Sequence, residues 1–301
     1  MSRLATPVTI LDWVHHATRR MRRAQLWFGH GTTCAEDESA WLVSAAMDIS
    51  PARLTGELAR RVGARQATRI EQLLRERIRR RRPLAYLLGE AWYHGLRFHV
   101  TDEVLVPRSL LGEHVLGRFE PWVRPARVRR VLEIGTGSGC LAVMLAKAFP
   151  QASIDATDVS DAALQVAARN CGRYRLRSRI HLVKSDVYDG LGGRRYDLIV
   201  TNPPYASARE MKSLPAEYGH EPALALGSGR DGLDTMRRIL DGAVARLKPH
   251  GWLIAELGNS ADRLERLCPD MPWIRLVDDA GDPSVLMISR EALERQRCPK
   301  R

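Results

Sequence analysis

Asn202-Pro203-Pro204-Tyr205 is the segment of this chain best suited to carry a reaction. A planar, conjugated nitrogen is a poor nucleophile because its lone pair is delocalised. Acceptors on both of its N–H groups would hold it and favour positive charge growing on nitrogen. The Asn202 side-chain oxygen supplies one acceptor. The Pro203 carbonyl supplies the other, since proline loses its N–H and keeps its C=O. Two prolines stiffen the segment, and Tyr205 can pack flat on an amide. The plain alternative is a Pro-Pro turn closing a strand. A methyl sulfonium is the electrophile such an acceptor suits. Catalysis then rests on in-line positioning and oriented dipoles, without a strong general base.

Three further groups of residues point to a nucleoside-bearing ligand. Gly135-Thr136-Gly137-Ser138-Gly139 places alternating glycines between a strand and a helix, where backbone can approach a ligand closely. It is not the dinucleotide pattern, and a tight turn without ligand has the same glycines. Asp158 ends the next strand and can accept both hydroxyls of a ribose. The competing reading is a helix N-cap, for which Ser160 is an equal candidate. Asp186 in Ser185-Asp186-Val187 can accept from an exocyclic amine while Val187 packs on the adenine ring. An Asp in a loop is also a common turn former.

These residues need a scaffold that alternates strands with helices. From Arg130 onward the sequence reads that way, which predicts an α/β doubly wound parallel sheet. Strands are expected at 130–134, 153–157, 179–184, 196–201 and 252–257. A closing antiparallel pair is expected at 273–277 and 285–289. Helices are expected at 138–149 and 161–170, and along the apolar face from Leu233 to Leu247, with Gly251 ending that unit. The first part reads as helical over 10–26, 36–47 and 51–82, the last broken near Gly63 and stopped by Pro83. A hairpin is expected at 91–100 and a short extended segment at 104–108. The resulting division is a helical domain over 1–83, a hairpin connector over 84–108 and a sheet domain over 109–301.

Composition narrows the class. The chain has 301 residues, 45% hydrophobic and 27% charged, as in globular proteins. No apolar run approaches the roughly 20 residues of a membrane span. The N-terminal stretch is amphipathic without an apolar signal core, so a cytoplasmic enzyme with no membrane partner is expected. The five cysteines are scattered without a Cys-x-x-Cys pair, which predicts reduced, mostly buried thiols and no metal. The net charge of +12 suits an anionic partner such as ribosomal RNA. Arg79-Arg80-Arg81-Arg82 alone reads rather as a solvated helix end.

Together these residues resemble the class I methyltransferases that modify glutamine amides, over almost the whole chain. The branch that acts on large-subunit ribosomal protein L-three is most similar. The resemblance is carried by Trp27-Phe28-Gly29-His30-Gly31-Thr32, Val104-Leu105-Val106-Pro107-Arg108-Ser109 and Thr136-Gly137-Ser138-Gly139-Cys140. Leu214 to Tyr218, His220-Glu221-Pro222, Asp231-Gly232-Leu233 and Gly258-Asn259-Ser260 carry it further. Leu110 departs from the proline expected there, and Glu133 from the usual Asp.

The resemblance implies a Rossmann-like, seven-stranded, mostly parallel sheet behind a small helical domain that docks the substrate. It implies S-adenosylmethionine as cofactor, bound by Gly135 to Gly139, Asp158, Asp186, Val187 and Asn202, with Asn202 to Tyr205 catalytic. The implied substrate is a glutamine of ribosomal protein L-three. A basic enzyme and a basic ribosomal protein repel at long range, so rRNA contact in a pre-ribosomal particle is expected. The sister branch acts on peptide release factors. Enzymes that methylate exocyclic amines of DNA or RNA use a similar loop, for the same physical reason. The helical first domain and the missing aromatic-basic strand platform argue against them. An intact Asn202 loop argues against a non-catalytic scaffold.

Overall fold

The computed structural model describes residues 7–296. The chain divides into two compact units, residues 1–91 with Pro215–His220, and residues 92–214 with 221–301.

The first unit is helical. Helix α1 (Ile10–Arg23) opens with a capping box, in which Thr9 and Asp12 exchange side-chain and backbone hydrogen bonds. Helix α2 (Ala35–Ala46) follows. The helix expected over 51–82 is two helices, α3 (Pro51–Leu54) and α4 (Ala64–Arg80), with Gly63 at the break. A short α5 (Leu84–Leu88) ends at Gly89. Ile10, Met21, Leu42, Ile70 and Leu74 are completely buried where α1, α2 and α4 pack together. Each such side chain contributes about 2 kcal/mol.

Arg77 lies in this core with its side chain wholly buried. Its guanidinium donates to Glu38 (2.6 Å), to Glu217 (3.5 Å) and to the Trp27 carbonyl (2.8 Å). Glu217 also accepts from the Trp27 N–H (2.9 Å) and pairs with Arg81 (2.8 Å). Thr32 donates to Glu38. Both ends of the Trp27–Thr32 turn are therefore tied to one buried charge network. The arginine tetrad is largely spent inside the unit: Arg79 and Arg80 pair with Glu76, and Arg81 also reaches the Ala24 and Gln25 carbonyls.

Strands β1 (Glu90–Tyr93) and β2 (Leu96–His99) form the expected hairpin. No strand forms over 104–108; Glu221 instead accepts the Val106 N–H (3.3 Å) and grips both terminal nitrogens of Arg108.

The second unit is built on a seven-stranded sheet. Its strands are β3 (Arg130–Ile134), β4 (Ser153–Asp158), β5 (Ile180–Lys184), β6 (Tyr196–Thr201), β7 (Leu247–Glu256), β8 (Ile274–Leu276) and β9 (Val285–Ser289). The order is β5-β4-β3-β6-β7-β9-β8, parallel except for β9, which runs antiparallel to both β7 and β8. Alternate β3 residues feed two cores. Val131 packs with helix α7 (Cys140–Ala148), whereas Leu132 and Ile134 pack with Met236 and Ile239 of α10 (Asp234–Arg246). The remaining helices are α6 (Leu111–Leu116), α8 (Asp161–Arg173), α9 (Ala208–Ser213), α11 (Ser260–Leu267) and α12 (Arg290–Arg295).

Two expectations need correction. Strand β7 begins at Leu247, and Gly251 lies inside it at a register shift against β6 rather than ending the helical unit. A Cβ there would crowd the Lys248 and Asp197 carbonyls, so glycine marks a close approach in the bulge. Cys34, Cys140 and Cys171 are free thiols as expected, but Cys268 is disulfide-bonded. Local spacing excludes only neighbouring pairs and is blind to cysteines joined by the fold. Arg295 closes α12, and residues 297–301 lie outside the described residues.

Candidate active site

The sheet order reverses direction at β3. The chain leaves β3 for β4 on one side and reaches β6 on the other. Ile134 pairs with both Thr157 and Thr201, so the turns after β3, β4 and β6 emerge side by side. Lys184 of β5 pairs with Asp158, and Ala255 of β7 with Thr201. Every residue predicted for the site thus leaves the carboxyl end of one of four adjacent strands, β5-β4-β3-β6, where open α/β sheets bind ligands.

Gly135, Gly137 and Gly139 all have positive φ, at +75°, +52° and +76°. That left-handed backbone is open to glycine and strained for other residues. The Gly135 and Thr136 N–H groups both donate to the Thr157 carbonyl, and Asn170 donates to the Ser138 carbonyl (2.8 Å). Nothing lies within 4 Å of a Cβ built on Gly137, so the crest of the turn is open to a ligand. Asn170 also exchanges hydrogen bonds with the His99 backbone, joining α8, the turn and β2 from a fully buried position. The helix expected over 161–170 continues past this residue to Arg173. A polar residue on the inner face of a helix was the available signal.

The N-cap role falls to Ser160. The Ser160 hydroxyl caps α8 by accepting from the Ala163 N–H. Asp158 accepts from the Gly137 N–H (2.9 Å) and the Ser160 N–H (3.0 Å), one on each carboxylate oxygen. Burial raises its pKa, and those N–H groups pull it back down. Each oxygen retains a lone pair for a ligand hydroxyl. We predict that Asp158→Ala raises the cofactor dissociation constant at least about tenfold, the weight of one charge-assisted hydrogen bond. Turnover at saturating cofactor should change only a few-fold. Calorimetric titration with S-adenosylmethionine, run beside steady-state rates, tests this; unchanged affinity would sink the assignment.

Asp186 is half-exposed and pairs with Arg238 of α10 at 2.9 Å. Val187 is buried at φ +54°, an uncommon conformation for a β-branched residue. The Ser185 hydroxyl donates to the Val187 carbonyl and accepts from the Gly190 N–H, which holds the strained turn.

The Asn202 side chain is half-buried and makes no hydrogen bond with any described residue, leaving its amide available. The next residues are firmly held. Thr201 donates to the Ile134 carbonyl, and the Tyr205 N–H donates to the Leu226 carbonyl (3.1 Å). The Tyr205 carbonyl accepts from the Ser260 hydroxyl at 2.7 Å. A Cβ on Gly258 would stand 2.8 Å from the Tyr205 ring, so that glycine lets the ring lie against backbone. Ser207 and Glu210 form a capping box that starts α9. Arg263 grips both Glu210 oxygens at 3.0 Å and also reaches Ser260. The Arg263 guanidinium holds the Glu210 carboxyl down at about 2. This support behind Tyr205 has no local sequence signature, because its members lie far apart in the chain.

Glu133 is buried beneath the glycine turn and accepts from the Thr136 hydroxyl (2.7 Å). Burial pushes its carboxyl from 4.5 up to about 8, against the pull of that hydroxyl. The folded protein therefore keeps a proton that the unfolded chain sheds near pH 4.5. Stability falls as pH rises from there to about 8, by on the order of 5 kcal/mol in total. Glu133→Gln should remove this dependence and protect the β3 amides from exchange better than the parent at pH 8. Parallel changes in β3 protection for the two proteins across pH 5 to 9 would contradict it.

Known proteins place the chain. Residues 12–89 match the family described as the PrmC N-terminal domain, and residues 121–217 the methyltransferase small domain. Among its relatives, ribosomal protein uL3 glutamine methyltransferase of Bordetella pertussis is 42% identical over 286 residues, covering 95% of this chain and 96% of the relative. Proteins of the same name from Bradyrhizobium diazoefficiens and Neisseria meningitidis serogroup A are each 41% identical. They cover 91% and 95% of this chain, and 89% and 94% of the relatives. At such identity over nearly its full length, the chain belongs to the family of ribosomal protein uL3 glutamine methyltransferases.

Proposed function

We propose that this chain transfers a methyl group from S-adenosylmethionine to the side-chain amide nitrogen of a glutamine in ribosomal protein uL3. The observation that carries the chemistry is the Asn202 amide, without a hydrogen bond to any described residue, followed by Pro203 and beside an open glycine turn at the sheet's switch point. The relatives' shared name supports the substrate.

The cofactor supplies an already activated sulfonium methyl. Gly135 to Gly139 provide backbone open to close approach, Asp158 accepts from the ribose, and Val187 with Asp186 flanks the adenine. The Asn202 oxygen and the Pro203 carbonyl each accept one N–H of the glutamine amide, which fixes its plane and directs its lone pair. Positive charge growing on nitrogen strengthens both hydrogen bonds. It also acidifies the N–H, so the proton leaves without a carboxylate base. Tyr205 packs on the face of the amide.

In this reading residues 1–83 dock the substrate protein, 84–108 connect, and 109–301 carry the transfer. The enzyme works in the cytoplasm, and among the described residues no helix is long and apolar enough to cross a membrane. An enzyme of charge +12 repels a basic ribosomal protein at long range, which favours a substrate met on rRNA in a pre-ribosomal particle. The test offers labelled cofactor with uL3, protein-free rRNA and release factor in separate reactions. Label in a uL3 glutamine, located by peptide mass spectrometry, is expected. Label only in RNA, or in release factor in preference to uL3, would overturn the proposal.

A further inference from the structure

At the far end of α8 from the site lies a cavity of about 530 Å³ lined by Arg169, Gly172, Arg173, Arg175, Arg177 and Ser178. Asn170 on the inner face of the helix holds the glycine turn, whereas Arg169 and Arg173 are exposed on its outer face, so the cavity opens away from that turn. All four arginines are exposed, and none has a carboxylate partner among the described residues. That sets them apart from Arg79, Arg80 and Arg81, whose charges are met by glutamates.

The cavity is held in shape by backbone. Tyr174, Arg175 and Leu176 donate to the Asn170, Gly172 and Cys171 carbonyls, and Arg175 sits at φ +56° in the resulting turn. A Cβ on Gly172 would lie 2.7 Å from an Arg177 nitrogen, so the bare glycine lets that guanidinium rest on the helix end. The cationic surface continues past the cavity. Lys147 stands 5.5 Å from the centre of the Tyr174 ring, and the Tyr174 hydroxyl is hydrogen-bonded to both backbone groups of the exposed Arg97.

We infer that this arginine-lined cavity is a docking surface for the phosphate backbone of RNA. Guanidinium groups match phosphate in a bidentate way and stay charged at every physiological pH. Several of them together, without acids among them, mark a site for a polyanion rather than a solvated helix end. A lipid surface fits poorly, because none of the exposed large hydrophobic residues lies in the patch. The inference rests on the reading that the enzyme meets its substrate on rRNA, and it assigns the surface that would make the contact.

The full chain and protein-free large-subunit rRNA test it, with affinity measured against salt concentration. Arg173→Gln with Arg177→Gln should weaken binding about tenfold at low salt and flatten the log–log salt slope by roughly 1 to 2. Arg266→Gln with Arg295→Gln removes the same charge from exposed positions of α11 and α12 and should leave both nearly unchanged. Turnover on free uL3 should match the parent in both variants, which also reports intact folding. Equal losses in the two pairs, or parental binding by the cavity pair, would overturn the assignment while leaving rRNA docking standing. Equal loss of polyglutamate binding would overturn it in favour of an acidic protein partner. Failure of the parent enzyme to bind rRNA at all would remove the docking reading itself, and this surface with it.

Discussion

Asn202→Ala is expected to lower kcat by about 10²- to 10³-fold, the scale for losing one oriented hydrogen-bonding group at a centre of developing charge. Cofactor affinity should stay within about threefold, since Asn202 is one contact among several at the carboxyl edge of the sheet. The variant leaves the fold intact, because the Asn202 side chain makes no hydrogen bond with any described residue. The neighbouring backbone is held independently, by Thr201 on the Ile134 carbonyl and by Ser260 on the Tyr205 carbonyl. Asn202→Asp, which keeps an acceptor oxygen, should recover part of the rate. Single-turnover kinetics at saturating cofactor separates the outcomes. A normal transfer step with a raised cofactor requirement would contradict the role given to this side chain.

Arg77→Ala should destabilise the helical unit by about 3 to 5 kcal/mol. Arg77 and Glu217 are completely inaccessible and Glu38 nearly so. Removing the guanidinium leaves carboxylates buried with the Trp27 carbonyl unpaired. Unfolding of a two-unit chain need not be two-state, so a single melting temperature is a poor readout. Amide exchange in α2 and α4 is the suitable one, with protection expected to fall there and to persist in β3 and β6. Combining Arg77→Met with Glu38→Gln and Glu217→Gln should restore much of the protection, since the uncompensated charge goes with the arginine. Protection unchanged in Arg77→Ala would show that the network carries little stability.

The Arg77 network also bears on how the chain is organised. Glu217 lies in Pro215–His220, which follows the Asn202 loop in sequence yet belongs to the helical unit. His30 of the Trp27–Thr32 turn packs on Tyr218 of the same segment, with ring centres 4.7 Å apart. Motifs that read as separate islands along the chain converge on the buried Arg77, Glu38 and Glu217 side chains.

Periodicity and turn chemistry made most of the sheet legible. Strand β6 and the hairpin appear where apolar alternation and bounding turn residues put them, and β3 ends at the glycine turn. Strand β7 starts earlier than expected, at Leu247, because Gly251 signals a stop in sequence and a close approach in space. The same limit hid the disulfide at Cys268.

By itself, then, the sequence determined the alternation of strands and helices, the glycine turn and the Asn202 loop. These are local properties, set by φ preferences, side-chain period and the donors and acceptors of single residues. The tertiary structure alone decided which turns become neighbours, through a strand order in which Ile134 pairs with both Thr157 and Thr201. It alone showed that Asp158 braces the glycine turn while Ser160 caps the helix. It decided that Glu133 loses its water and holds a proton, and that Ser260, Arg263 and Glu210 stand behind Tyr205. Desolvation and contacts between distant segments depend on how the whole chain closes, and no window of sequence contains them.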